Sequence, residues 1–144
     1  MGRIREHIRI NGRKCWTLFD SGAQNTYVVP EVARLLVTKK MTKPFRSALG
    51  GGIKKATTLA LLDAQVEGHK VATHAMVVDE IGKDEDGRPI EVVFGALAMQ
   101  QWGIRLVPKE ERLDLNHYPH EFVEFFGQPL NPGRYGVLRS APKS

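Results

Sequence analysis

Cysteine is nearly absent: Cys15 is the only one in 144 residues, so no internal disulfide can form and no thiolate cluster can hold a metal. One unpaired thiol fits a reducing compartment, and the expected location is the cytoplasm. Long apolar runs are missing too, none approaching the roughly 18 residues that a membrane span needs. Met1-Gly2-Arg3-Ile4 turns charged at once, without the apolar segment of a secretion signal. Glu6 stands where a myristoylation signal has a hydroxyl residue. Aromatics are scarce at 8%, and the densest basic stretch, Lys39 to Arg46, holds Phe45 alone. A nucleic-acid surface interleaves stacking aromatics with its basic residues or carries a reading helix. The net charge of +5 therefore reads as a mildly basic surface, and residues 39–46 as a solvated loop. Neither nucleic acid nor a membrane is expected as a partner.

What is present fits one domain with one core, since 42% of the residues are hydrophobic. Ile4, Ile8 and Ile10 lead into Asn11-Gly12, a strong hairpin signal, and Cys15-Trp16-Thr17-Leu18-Phe19 follows as a buried strand. Tyr27-Val28-Val29 is a short strand, and Pro30 to Leu36 is expected to make two turns of helix behind a leading proline. Further strands are expected at 45–49, from Ile53 to Val66, at 71–78 and at 90–94. Ala96 to Trp102 is a helix closed by Gly103, and Ile104–Val107 with Arg112–Leu115 makes a last hairpin. Many short strands between closely spaced turns, with two short helices, are the pattern of an all-β barrel or sandwich.

The chemistry gathers where the buried strand ends, at Asp20-Ser21-Gly22. By itself Asp-(Ser/Thr)-Gly is a common turn, expected by chance in about one chain in fifteen of this length. Its position raises its value, because Leu18-Phe19 precedes it and Ala23-Gln24-Asn25-Thr26-Tyr27-Val28 follows. That segment resembles the active-site segment of retropepsin-like aspartic proteases. A second family feature, an apolar pair followed by Gly and a short helix, is matched by Val93-Phe94-Gly95-Ala96-Leu97-Ala98-Met99. The resemblance covers roughly residues 4–115. It implies an all-β, single-lobe acid-protease barrel with a flap hairpin and one or two short helices. Residues 1–115 would form the protease domain and 116–144 a C-terminal extension, possible at the dimer interface.

The family's activity is peptide hydrolysis by two close carboxyl groups that share a proton, one activating water and the other acting as acid. No second Asp-(Ser/Thr)-Gly exists in the chain, so the resemblance implies a homodimer that pairs Asp20 with its counterpart across a twofold axis. Ser21 would hydrogen-bond across that axis, and Gly22 would bring its N–H to the carboxylates. Phe45 to Ile53 occupies the place of the flap. Ala23, Ala48, Leu49, Gly50, Gly51, Gly52 and Ile53 are the expected substrate-binding residues, contacting a peptide or protein in extended conformation. No cofactor and no metal are implied.

One departure is Ala96, where many retropepsins carry Arg or Lys in an ion-pair network that supports the dimer. Tyr118, Phe122, Val123, Phe125 and Phe126 could replace it as an aromatic arm across the interface, or pack on their own domain. His117 and His120 lack the partners of a zinc site. Asp84-Glu85-Asp86-Gly87 lacks the later Glu of a calcium loop and reads as a solvated turn. Cys15 reads as core. The function alternative to an endopeptidase is a non-catalytic dimerisation or peptide-binding module of the same fold.

Overall fold

The computed structural model describes residues 2–122. Strands β1 (Arg3–Ile10) and β2 (Arg13–Asp20) form an antiparallel hairpin around Asn11-Gly12, whose φ angles of 51° and 82° suit a two-residue turn that follows the strand twist. That turn fixes the register: Ile8 faces Cys15, Arg5 faces Leu18 and Arg3 faces Asp20. Facing residues share one side of the ladder, so the turn decides which side chains accompany Asp20.

After β2 come β3 (Tyr27–Val28), α1 (Pro30–Ala33), β4 (Val37–Leu49), β5 (Gly52–Val66) and β6 (His69–Val77). Then follow β7 (Val92–Phe94), α2 (Ala96–Trp102), β8 (Arg105–Val107) and β9 (Arg112–Asp114). The main sheet runs β1-β2-β7-β3-β6-β5-β4, and an Arg9–Gln65 pairing joins β1 to β5, so the strands close into a ring with β4 outside it. β8 and β9 form a separate small ladder. The molecule is all-β with two short helices, as the sequence pattern leads one to expect.

Burial explains the ring. Ile8, Ile10, Phe19, Val28, Leu62, Val66, Val92 and Phe94 are almost wholly shielded and point into one cluster, with the Phe19 and Phe94 rings 5.0 Å apart. Cys15 lies in that cluster, and burial pushes its thiol pKa up, which leaves it an inert core group. A second cluster, Leu18, Tyr27, Ala56, Met76, Val78, Ile90 and Val93, lies on the side that carries the Asp20 loop.

Two local expectations need correction. Residues 39–46 are not a loop: they belong to β4, whose register against β5 slips between Lys40 and Phe45. The strand needs no apolar alternation because most of its side chains are in solvent. The helix after Pro30 stops at Ala33, and Leu35 and Leu36 continue only as tighter turns, their N–H groups bonding Val32 and Ala33 carbonyls. Of the expected aromatic arm, Tyr118 and Phe122 pack against Trp102 at the end of α2, with ring centroids 6.0 and 5.9 Å away. Val123, Phe125 and Phe126 lie outside the described residues.

On β1, the half-buried Glu6 meets Glu67 from the β5–β6 turn. Burial first, then the hydrogen bond and negative charge of Glu67, push the Glu6 pKa from 4.5 up to about 7. The folded state thus prefers Glu6 protonated. Its contribution is fully present below pH 4.5 and is lost as the pH rises towards about 7. Glu6→Gln should therefore gain stability over wild type at pH 8, by about 1 kcal/mol after allowance for solvent screening, and gain little at pH 4. Urea denaturation at both pH values checks this; an equal effect at both would contradict it.

Candidate active site

Asp20 is the last residue of β2, and its side chain is partly covered, 20% exposed. The chain turns at once: Ala23 N–H donates to the Asp20 carbonyl at 3.1 Å, and Gly22 N–H donates to Asp20 Oδ1 at 2.8 Å. One carboxylate oxygen is thereby fixed by its own loop. The other, Oδ2, lies 3.6 Å from Arg3 Nε, beyond hydrogen-bond reach yet close enough for attraction. Ser21 uses both its backbone and its hydroxyl on Gly2. Its N–H donates to the Gly2 carbonyl at 3.0 Å, and Gly2 N–H donates to Ser21 Oγ at 2.8 Å.

Behind this exposed loop the structure is dense. Thr26 is 3% exposed, and its Oγ1 accepts the Gly95 N–H at 3.1 Å while its carbonyl accepts the Met76 N–H at 2.9 Å. The loop carbonyls of Ala23 and Gln24 accept the N–H groups of Ala96 and Leu97, the first residues of α2. The helix start and the loop approach so closely that a Cβ on Gly95 would lie 2.2 Å from the Asn25 carbonyl oxygen. Only glycine fits there. The two motifs read in the sequence are thus the two sides of one contact.

β4 and β5 project as a long hairpin whose tip turns at Gly50-Gly51, with φ of 61° and 84°. The tip folds back onto the body. Leu49 packs on the second cluster beside Leu18, Tyr27 and Ala23, and the Tyr27 hydroxyl donates to Ser47 Oγ at 3.0 Å. Ala48 and Ile53, paired across the ladder, lie on the other face and are exposed, Ile53 at 64%. Gly50, Gly51 and Gly52 are exposed at the tip. Of the residues expected to contact substrate, Ala23 and Leu49 both pack against the second cluster. Ala48 and Ile53 face away from them.

A family profile described as aspartyl protease matches residues 7–97. The chain belongs to the aspartyl protease family. It has the single-lobe, retropepsin-like fold. It is similar to the retroviral protease-like domain of Ddi1 from Leishmania major, with TM-score 0.55 and 17% identity over 81% of this chain and 90% of that one. It is also similar to EIAV protease, solved with an inhibitor, with TM-score 0.54 and 20% identity over 73% of this chain and 92% of that one. No curated protein matches the sequence.

Sequence reasoning missed Arg3, Gly2 and Thr26 as parts of the site. Arg3 was available from the Asn11-Gly12 turn, which sets it opposite Asp20. Among the described residues no helix is long and apolar enough to cross a membrane, and no group of three or more His, Cys, Asp or Glu is placed to hold a metal ion.

Thr26→Val removes the acceptor of a buried N–H while keeping the side-chain shape. It should cost about 1–3 kcal/mol, whereas Thr26→Ser should retain most of the stability. Denaturant midpoints of the two variants test this, and equal losses would show that the hydroxyl is not what matters.

Proposed function

We propose that this protein is an aspartic endopeptidase that acts as a homodimer, each subunit contributing one Asp20-Ser21-Gly22 loop. The observation that carries the reading is the loop itself: a partly exposed carboxylate oriented by the Gly22 N–H, at the end of a buried strand, on a rigidly backed turn. A chain with one such loop has half of a carboxyl dyad. Two copies related by a twofold axis would bring the Asp20 groups together, where like charges cannot both ionise cheaply. One carboxylate then takes a proton from water as the water attacks the scissile carbonyl, while the protonated partner donates to the carbonyl oxygen. The roles exchange as the amine leaves.

In this reading Gly22 holds the carboxylates coplanar and the Ser21 hydroxyl turns from Gly2 to the partner loop. The β4–β5 hairpin acts as the flap, its glycine tip lying over an extended peptide held by strand-like hydrogen bonds. Leu49 and Ala23 line the cleft, with Ala48, Gly50, Gly51, Gly52 and Ile53 on the lid. Residues 116–144 extend the protease domain. A non-catalytic peptide-binding or dimerisation module is the second reading. It draws on the contacts that occupy Asp20 and Ser21 within their own chain, to Arg3 and Gly2.

Wild type and Asp20→Asn, each incubated with an unfolded protein substrate from pH 3 to 8, separate the two. Cleavage by wild type with a bell-shaped pH profile, reduced at least a thousandfold in the variant, is the expected result. Sedimentation of both proteins should give the dimer weight at the assay concentration. A dimer that cuts nothing would favour the module, and a monomer that cuts would overturn the shared dyad.

A further inference from the structure

Along the face of the β1–β2 ladder that carries Asp20, the next facing pair is Leu18 and Arg5. These two, with Arg3, line a cavity of about 300 Å³ together with the loop Lys83-Asp84-Glu85 and Ile90, Leu18 and Ile90 being its apolar side chains. Leu18 lies two strand residues from Asp20, about 7 Å along the chain. The cavity therefore opens within one or two peptide residues of the carboxylate.

The loop wall is built firmly. Asp84 accepts the Trp16 indole N–H at 2.8 Å and the N–H groups of Asp86 and Arg88, each at 2.9 Å. Burial works to raise its pKa, yet these hydrogen bonds and the nearby Arg5 charge outweigh it and hold the carboxyl below the ordinary range. The Arg88 guanidinium caps the other side of Trp16, 3.8 Å from the ring centre.

The charges around the cavity do not balance. Arg5 is shared by Glu85 and Asp84, a trio that keeps one negative charge over, so the five charged groups that line the cavity sum to a single positive charge. Arg3 has only the looser contact to Asp20, and Lys83 makes no ion pair among the described residues. Arg3 and Lys83 thus pair with neither lining carboxylate, and they supply the excess positive charge at a cavity whose apolar lining is Leu18 and Ile90.

We propose that this cavity is a specificity pocket for an acidic side chain, glutamate above aspartate, close to the scissile bond. The glutamate stem would lie on Leu18 and Ile90 while its carboxylate reaches Arg3 and Lys83. The proposal rests on the dimeric-protease reading, and symmetry sharpens it. An isologous dimer presents the pocket twice, so the preference falls at two positions equidistant from the cut bond, one on each side.

Mass-spectrometric mapping of cuts in a library of unstructured peptides should show glutamate enriched at that symmetric pair of positions. For matched peptides with Glu or Gln at one of them, kcat/KM should favour Glu about fivefold at low salt and less at 0.5 M salt. In Lys83→Glu the ratio should fall to one or below. A wild-type ratio of one, or a ratio unmoved by Lys83→Glu, would overturn the pocket. Non-cleavable reduced-amide versions of both peptides, followed by fluorescence anisotropy on wild type and Lys83→Glu, read the same preference without hydrolysis. Loss of all cleavage with the binding preference intact would sink the catalytic reading and leave the pocket standing. Equal affinity for the two peptides would sink the pocket alone.

Discussion

A single tight contact, Gly95 lying against the backbone of Gln24 and Asn25, is the constraint on which the candidate site depends. It lets the buried Thr26 hydroxyl accept the Gly95 N–H and lets the first turn of α2 donate to the loop carbonyls. Without that contact the segment from Ser21 to Asn25, mostly exposed, would have little to hold it. With it, a solvent-facing turn inherits the rigidity of the core cluster around Phe19 and Phe94. A site that must hold reacting groups to a fraction of an ångström needs that kind of backing.

The same arrangement divides labour between two faces. The Phe19 side of β2 enters the main core, while the Leu18 and Asp20 side looks towards the second cluster, the hairpin and the 83–90 loop. Strand alternation alone accomplishes this. Stability and chemistry thus share one strand without sharing side chains, so substitutions on one face can be judged apart from those on the other.

Much of this was legible in the residues. Asn11-Gly12 announced the first hairpin, the apolar run into Asp20 announced a buried strand ending in a polar loop, and Ala96 to Trp102 closed by Gly103 was readable as a helix because its helix-forming residues and its stop signal agree. The less legible parts have physical causes. Only the 45–49 end of β4 was readable; its earlier part escaped notice because its side chains are mostly exposed and basic, and an outer strand needs no apolar stripe to hold its backbone hydrogen bonds. α1 was read too long because Leu35 and Leu36 continue its apolar face after the hydrogen-bond pattern has already tightened. Asp84 read as an ordinary polar turn residue, since nothing local reveals that Trp16, distant in sequence, donates to it. Long-range partners of that kind come from topology, which single residues do not announce.

The outermost strand has a consequence for the molecule among its neighbours. Among the described residues β4 has no strand beside its outer edge, which leaves a row of backbone groups on which another chain could extend the sheet. Lys39, Lys40, Lys43 and Arg46 lie along it, and Pro44 sits where the register slips. Charge repels a like edge, proline withholds a donor, and the irregularity breaks the straight line that a fibril requires. Each of these features works against copies of the chain stacking edge to edge along β4.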